Sequence, residues 1–292
     1  MEKVYMRYGA EDGSFHINHN VTSGEGCNAF MHNHRQYEIF VLMSEQASFT
    51  VEGSVHRLRR GDMMIFNSRE LHKVSYDGDK PYERYVIHFN KELVLPFCSE
   101  KFHLLKAFEN RGLGMYNRIA ASVAQQENIA DYLNKLKICL LGTHLGRDVM
   151  MKCYLIQMLV SINRVIDEKV QTAGRVESED KISAILKYIN DHLDAELTLD
   201  GLSEQFFISK YHMSHLFKNI TGYSISQYIA LKRILLADEL ISEGVAAAEA
   251  CEAAGFNDYS NFYKSFCKLL GRPPKYSQSK TEKEVNQMDF CD

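Results

Sequence analysis

Two textures of hydrophobic patterning divide the chain. Up to about residue 90 the apolar residues come in short runs rich in β-branched and aromatic side chains: IFVLM (39–43), SFTV (48–51), VHRL (55–58), MMIF (63–66), KVSY (73–76) and YERYVIHF (82–89). Turn signals separate them, namely EGS at 52–54, RGD at 60–62 and DGDKP at 77–81. Short strands at such regular spacing predict a small antiparallel barrel or sandwich. After Pro96 no proline follows until well beyond residue 170, and the periodicity becomes helical. Within MMKCYLIQMLVSINRV, Met151, Leu155, Met158, Ile162 and Val165 step by four and three, as the seam between paired helices does. Cys153, Ile156 and Leu159 make the other side apolar too, so this helix is expected either to pack on its own barrel or to form a homodimer.

The polar stretch QTAGRVESED (171–180) reads as a linker, and the chain is helical again beyond it. Ile182, Ile185, Leu186, Ile189 and Leu193 form one apolar stripe, and Leu231, Ile234, Leu235 and Ile241 form another. Between these lies TLDGLSEQFFISKYHMSHLFKNITG (198–222), which reads as helix, tight turn, helix. Thr198 is suited to cap its first helix and Ser209 its second. A related unit returns 49 residues later in AEACEAAGFNDYSNFYKSFCKLLG (248–271), with Asn257 or Asp258 as the cap of its second helix. Its first helix is rich in alanine and is expected to pack loosely. The last dozen residues form a polar tail.

Composition narrows the reading. A chain of 292 residues has room for about two domains. Hydrophobic content of 45% and charged content of 25% are ordinary for a globular protein. The net charge of −4 gives no general attraction to polyanions. Residues 181–280 carry eleven Lys/Arg and eleven Asp/Glu, so nonspecific affinity for nucleic acid should be modest. Seven scattered cysteines without a CxxC pair fit neither a zinc knuckle nor a disulfide framework, and read as reduced thiols. MEKVYMRYGAEDG lacks the apolar centre of a signal peptide, and no uninterrupted apolar run approaches the roughly 18 residues of a membrane span. The expectation is a soluble cytoplasmic protein without a membrane partner.

The C-terminal third resembles the double helix-turn-helix DNA-binding domain of AraC-type transcription regulators. The resemblance rests on Ser209, Leu216-Phe217-Lys218, Gly222, Tyr228, Arg233, Ala237, Leu240, Gly255-Phe256, Phe262, Phe266, Gly271, Pro274 and Tyr276. It implies two recognition helices in successive major-groove segments of double-stranded DNA, about 34 Å apart. Carried over position by position, the base-facing candidates are Tyr211, Ser214 and His215 in the first helix. In the second they are Tyr259, Ser260, Asn261, Tyr263 and Lys264. Asn261 suits adenine, Lys264 suits guanine, and the tyrosines suit thymine methyls or sugar. Lys210, Lys218 and Lys268 are phosphate candidates. His215 stands where arginine is frequent in the family. Each residue has a plainer alternative as part of a solvated helix face.

The N-terminal stretch resembles the cupin pattern. Gly26, His32, His34 and Glu38 follow its first motif, with Glu45 in place of a closing glycine, and Gly61 through His72 follow its second, with Asn67 and Arg69 in place of proline and glycine. His32 and His34 lie two apart, as same-face strand residues do. Glu38 and His72 are expected to join them, and Tyr37, Tyr76 and Tyr85 to add hydroxyls or ring faces. Three readings stay open: residues contacting a small-molecule effector (a sugar among the candidates), a divalent-metal site, or structural polar groups. No cofactor is required by the effector reading.

The expected fold class is α+β multidomain: a cupin-like antiparallel β-barrel (1–95), a helical connecting and dimerisation region (96–172), an all-α double helix-turn-helix (178–278) and a tail (279–292). The family resemblance implies an effector-modulated regulator that contacts RNA polymerase and is not an enzyme. The rival is a metal-dependent cupin enzyme with a helical appendage.

Overall fold

The computed structural model describes residues 3–10, 13–22, 27–28, 32–34, 36–76, 80–143, 145–172 and 181–275. Most of the linker, the polar tail, Gly26 and Tyr276 lie outside the described residues. The chain divides into two compact units, Met1–Glu177 and Ser178–Asp292.

Among the described residues the first unit has ten strands: β1 (Lys3–Gly9), β2 (Phe15–Thr22), β3 (Cys27–Asn28), β4 (Tyr37–Leu42), β5 (Gln46–Val51), β6 (Ser54–Arg59), β7 (Met63–Phe66), β8 (His72–Tyr76), β9 (Tyr82–Phe89) and β10 (Arg118–Ile119). They form a six-stranded sheet in the order β1-β2-β9-β4-β7-β10 and a four-stranded sheet in the order β3-β8-β5-β6. The paired strands are antiparallel throughout.

β4 is buried along its whole length, so its alternation sends residues into two different cores. Phe40 and Leu42 join Phe49, Leu58, Met64, Phe66, Tyr76 and Tyr82 between the sheets. Tyr37, Ile39 and Val41 join Ile65, Ile87 and Phe89 in a second core that the helices complete. Those helices are α1 (Lys91–Val94), α2 (Lys106–Glu109), α3 (Ala121–Gln126), α4 (Ile129–Leu141) and α5 (Arg147–Thr172). The helical region thus shares one core with the six-stranded sheet.

α5 uses its four-and-three seam in this core. Met151, Leu155, Met158, Ile162 and Val165 are all buried within their own unit, as is Leu159. Of the two expected covers for this seam, a partner helix or the chain's own barrel, the structure has the chain's own sheet and helices. Arg147–Lys169 is long and apolar enough to cross a membrane, unlike the expectation from uninterrupted runs, because isolated polar residues such as Asn163 only dilute its average. Half of that window is buried in the unit. Buried Asn163 is fully used: its Oδ1 accepts from Ala107 N at 2.9 Å, and its Nδ2 donates to Leu104 O and Leu159 O at 2.8 Å.

The second unit contains α6 (Lys181–Asp191), α7 (Leu199–Gln205), α8 (Lys210–Thr221), α9 (Ile225–Ser242), α10 (Ala247–Ala253) and α11 (Tyr259–Leu270). Thr198 and Ser209 cap α7 and α8 as expected, and Asp258 rather than Asn257 caps α11, its Oδ1 accepting from Asn261 N at 2.6 Å. The two helix-turn-helix copies are not in one register. Ile208 N donates to Ser203 O at 3.2 Å, and Phe256 N to Cys251 O at 3.1 Å, so the first helices and turns lie 48 residues apart. The second helices, capped by Ser209 and Asp258, lie 49 apart, and Asn257 is the extra residue. The left-handed turn position is Phe207 (φ 49°) in one copy and Gly255 (φ 82°) in the other. Ala250, Cys251 and Ala254 are buried, so the alanine-rich helix turns its small side chains inward.

Candidate effector pocket and nucleic-acid interface

The inward alternation of four neighbouring strands places a polar row at one end of the barrel. His16 on β2 pairs with His88 on β9, His88 with Glu38 on β4, and Glu38 with Phe66 on β7. Glu38 Oε2 is bonded to His34 Nε2 at 2.5 Å and to His88 Nε2 at 3.1 Å. His72 enters from the other sheet, its Nε2 3.8 Å from the same oxygen. His32 and His72 exchange backbone hydrogen bonds, and their rings lie 4.6 Å apart.

The structure brings together His32, His34, Glu38 and His72, and it adds His88 and His16, whose rings lie 4.6 Å apart. Tyr37 lies elsewhere. As the neighbour of Glu38 on one strand it faces the helices, donating from its hydroxyl to Glu109 Oε1 at 2.5 Å and packing on Phe89 and Phe108. Tyr85 shares that outward face and accepts from Lys137 Nζ at 2.7 Å. Tyr76 lies inside, but its hydroxyl donates to Lys80 O, away from the histidines.

The charges at this site are set by burial and by one another. Burial alone would raise the Glu38 carboxyl, but the charge and hydrogen bond of His34, with the bond from His88, hold it well below the usual carboxylate range. Burial works to lower His34, and Glu38 overrides it, so His34 is raised. His72 is 1% exposed and is pushed well below its ordinary value, first by burial and then by the neighbouring His32. Its Nε2 has no hydrogen-bond partner among the described residues.

A pH dependence follows from these directions. The contribution of raised His34 is complete at low pH and is lost as pH rises through its folded value. That of depressed Glu38 is present above the ordinary carboxylate value and lost as pH falls through its folded one. Depressed His72 resists protonation, so stability declines once pH drops below the ordinary histidine value of about 6.5. The thermal midpoint of the first unit should therefore fall between about pH 6.5 and pH 5, and His72→Gln should flatten that fall. An unchanged acid limb in this variant would remove His72 as its source.

His72 is set in place from below by a buried ion pair. Its Nδ1 lies 3.0 Å from Glu70 O, and the Glu70 carboxylate receives two bonds of 2.6 Å from Arg111, both side chains being wholly buried. Glu70 also accepts from Gly114 N, Asn117 Nδ2 and Asn67 N. Asn67, which replaces the cupin proline, donates from its side chain to Phe108 O at 2.9 Å.

In the second unit the apolar faces of the recognition helices are buried: Met213 and Phe217 in α8, Phe262, Phe266 and Leu269 in α11. The opposite faces are open. Lys210, Tyr211, His215 and Lys218 are exposed and Ser214 is half-buried; Tyr259, Ser260, Asn261, Tyr263, Lys264 and Lys268 are all exposed. Lys210 is ion-paired to Asp200.

The helix-turn-helix domain model matches residues 202–278, and the AraC-like ligand binding domain model matches residues 25–159. An uncharacterised HTH-type transcriptional regulator of Bacillus subtilis, YbfI, is 23% identical over 79% of this chain and 80% of its own length. The multiple antibiotic resistance protein MarA of Escherichia coli is 30% identical over 35% of this chain and 83% of its own. The crystal structure of unsaturated fatty acid-bound ToxT from Vibrio cholerae covers 92% of this chain and 95% of its own, at 12% identity and a TM-score of 0.42, a likeness too loose to carry an inference. With an AraC-like ligand-binding domain ahead of two helix-turn-helix units, the chain belongs to the AraC-type family of transcription regulators.

Proposed function

We propose that this regulator senses a small polar molecule at the Glu38 end of its barrel and acts as a cytoplasmic homodimer, not as an enzyme. The observation that carries the sensing reading is Glu38 itself: a buried carboxylate kept charged by two imidazoles, with His72 Nε2, which has no hydrogen-bond partner among the described residues, 3.8 Å from it. Buried polar groups without partners are costly, and a ligand offering hydroxyl or N–H donors would satisfy these acceptors. Phe40, Phe49, Phe66, Leu58, Tyr76 and Tyr82 fill the barrel beyond the histidines, which favours a compact ligand over a long apolar one.

A divalent metal is the second reading. The ligand atoms of His34, Glu38 and His88 lie within 4.8 Å of one another, a set of imidazoles and carboxylate that fits zinc, iron, manganese or nickel, and His72 Nε2 stands 3.8 Å from Glu38 beside it. In that case these side chains would hold the ion, and the ion would form part of the ligand's seat.

Dimerisation is assigned to the α4–α5 hairpin, because Ile138, Leu141, Leu145 and Val149 expose large apolar side chains there. A ligand must bind two arrangements of the regulator unequally to change its grip on DNA and on RNA polymerase. Footprinting the DNA upstream of this gene, with sugars, small acids and divalent metals in turn, tests all of this. Two protected segments are expected, with a pattern that one addition alters and RNA polymerase extends. Glu38→Ala should keep the protection and lose the alteration, and Leu145→Glu should require more protein. No protected segment under any condition would sink the DNA reading; protection indifferent to every addition would sink the sensing one.

A further inference from the structure

The two recognition helices differ in how much of their polar surface is committed within the chain. On α8, Lys210 is ion-paired to Asp200 and His215 Nδ1 lies 3.3 Å from Asn219 Nδ2. Ser214 is half-buried. On α11, the side chains of Asn261 and Lys264 are exposed and make no hydrogen bond or ion pair among the described residues. Asn261 engages Asp258 only through its backbone N–H, which caps the helix and leaves the amide group open.

The chemistry of the two faces is equally unequal. Neither helix carries an arginine, and neither carries an aspartate or glutamate for cytosine. An asparagine amide matches adenine in two hydrogen bonds, and a lysine donates to the two guanine acceptors. α11 presents both chemistries near the middle of its open face. On α8 the exposed aromatic and imidazole groups suit thymine methyls or a single acceptor, and reading through His215 or Lys210 must first displace an internal partner. Lys218 and Lys268 stand in the last turns, where they complement the helix dipole and suit phosphate contact.

We infer that α11 holds most of the operator's sequence information, reading an adenine through Asn261 and a guanine through Lys264, while α8 anchors a tolerant, thymine-favouring segment about one helical turn away. This rests on the DNA-binding reading above. It makes Asn261 and Lys264 specificity-determining and gives His215 and Lys210 a share in affinity only.

Selection of the full-length protein against random duplexes, repeated with Asn261→Ala, Lys264→Ala and His215→Ala, tests the inference. The expected consensus has one block with fixed adenine and guanine and a second, degenerate block about 10 base pairs away. Asn261→Ala should relax the adenine alone and Lys264→Ala the guanine alone, each weakening the selected duplex by about tenfold. His215→Ala should leave the consensus unchanged. Equal information in both blocks, or a consensus unmoved by the α11 variants, would overturn the assignment while leaving DNA binding intact. No enriched sequence at all would overturn the DNA reading with it.

Discussion

Arg111→Ala is expected to destabilise the first unit by about 3–5 kcal/mol, the usual cost of breaking a buried ion pair from one side. Glu70 and Arg111 are both fully buried, so the variant strands a carboxylate that burial alone would protonate; the arginine holds it below its ordinary value. Arg111 also donates to Ala107 O, Met115 O and Ile65 O, and those carbonyls would lose a donor. The gain from the pair itself is small against its desolvation. A double variant, Glu70→Gln with Arg111→Met, removes the buried charge yet keeps an acceptor for Gly114 N, Asn117 Nδ2 and Asn67 N, and should therefore recover part of the loss. Urea unfolding of the full chain, followed by circular dichroism, measures both. A single-variant cost below about 1 kcal/mol, the range of exposed pairs, would mean that water reaches the site.

The second large effect belongs to Gly255. A Cβ there would strike the carbonyl of Leu193 and the Cα of Asp194, both backbone atoms, and would stand 3.1 Å from the Arg233 guanidinium. Arg233 holds the same carbonyl at 2.8 Å and Ala195 O at 2.7 Å, so Arg233, the segment that follows α6 and Gly255 meet at one junction. Gly255→Ala combines a left-handed φ with a backbone collision and should cost about 2–4 kcal/mol. Hydrogen exchange should show α10 and α11 losing protection while the barrel strands keep theirs. Phe207→Gly provides the contrast. Phe207 is 89% exposed at the equivalent turn position, and glycine there should gain up to about 1 kcal/mol. Unaltered exchange in Gly255→Ala would show that α10 can shift away from α6 without penalty.

Much of this fold is legible in the sequence because its signals are local. Alternation and turn residues place β4 to β9 within a residue or two, and caps and glycines place α7, α8 and α11. Register is not local. His88 stands in a run readable as a strand, but only the pairing of β9 with β4 sets it opposite Glu38. Arg111 and Glu70 are 41 residues apart in the chain and belong to no periodic pattern. Tyr37 is a different case, since two adjacent strand residues face opposite ways, and that rule alone separates it from Glu38. The α5 seam shows the limit of periodicity: it marks a buried face without saying whether the cover is a partner or the chain itself. The 49-residue repeat conceals the inserted Asn257, because the turns carry little shared sequence.

The two-faced burial of β4 has a mechanical consequence. Glu38 looks into the barrel, and Tyr37, one peptide away, is bonded to Glu109 of α2. The strand is a diaphragm one residue thick, with the polar row of Glu38 on one side and the helical layer on the other. A displacement at Glu38 would reach the helices through a strand paired on both sides, without a relay of intervening side chains. Softening that diaphragm, rather than altering either side of it, would be the way to uncouple the barrel from the helices packed against it.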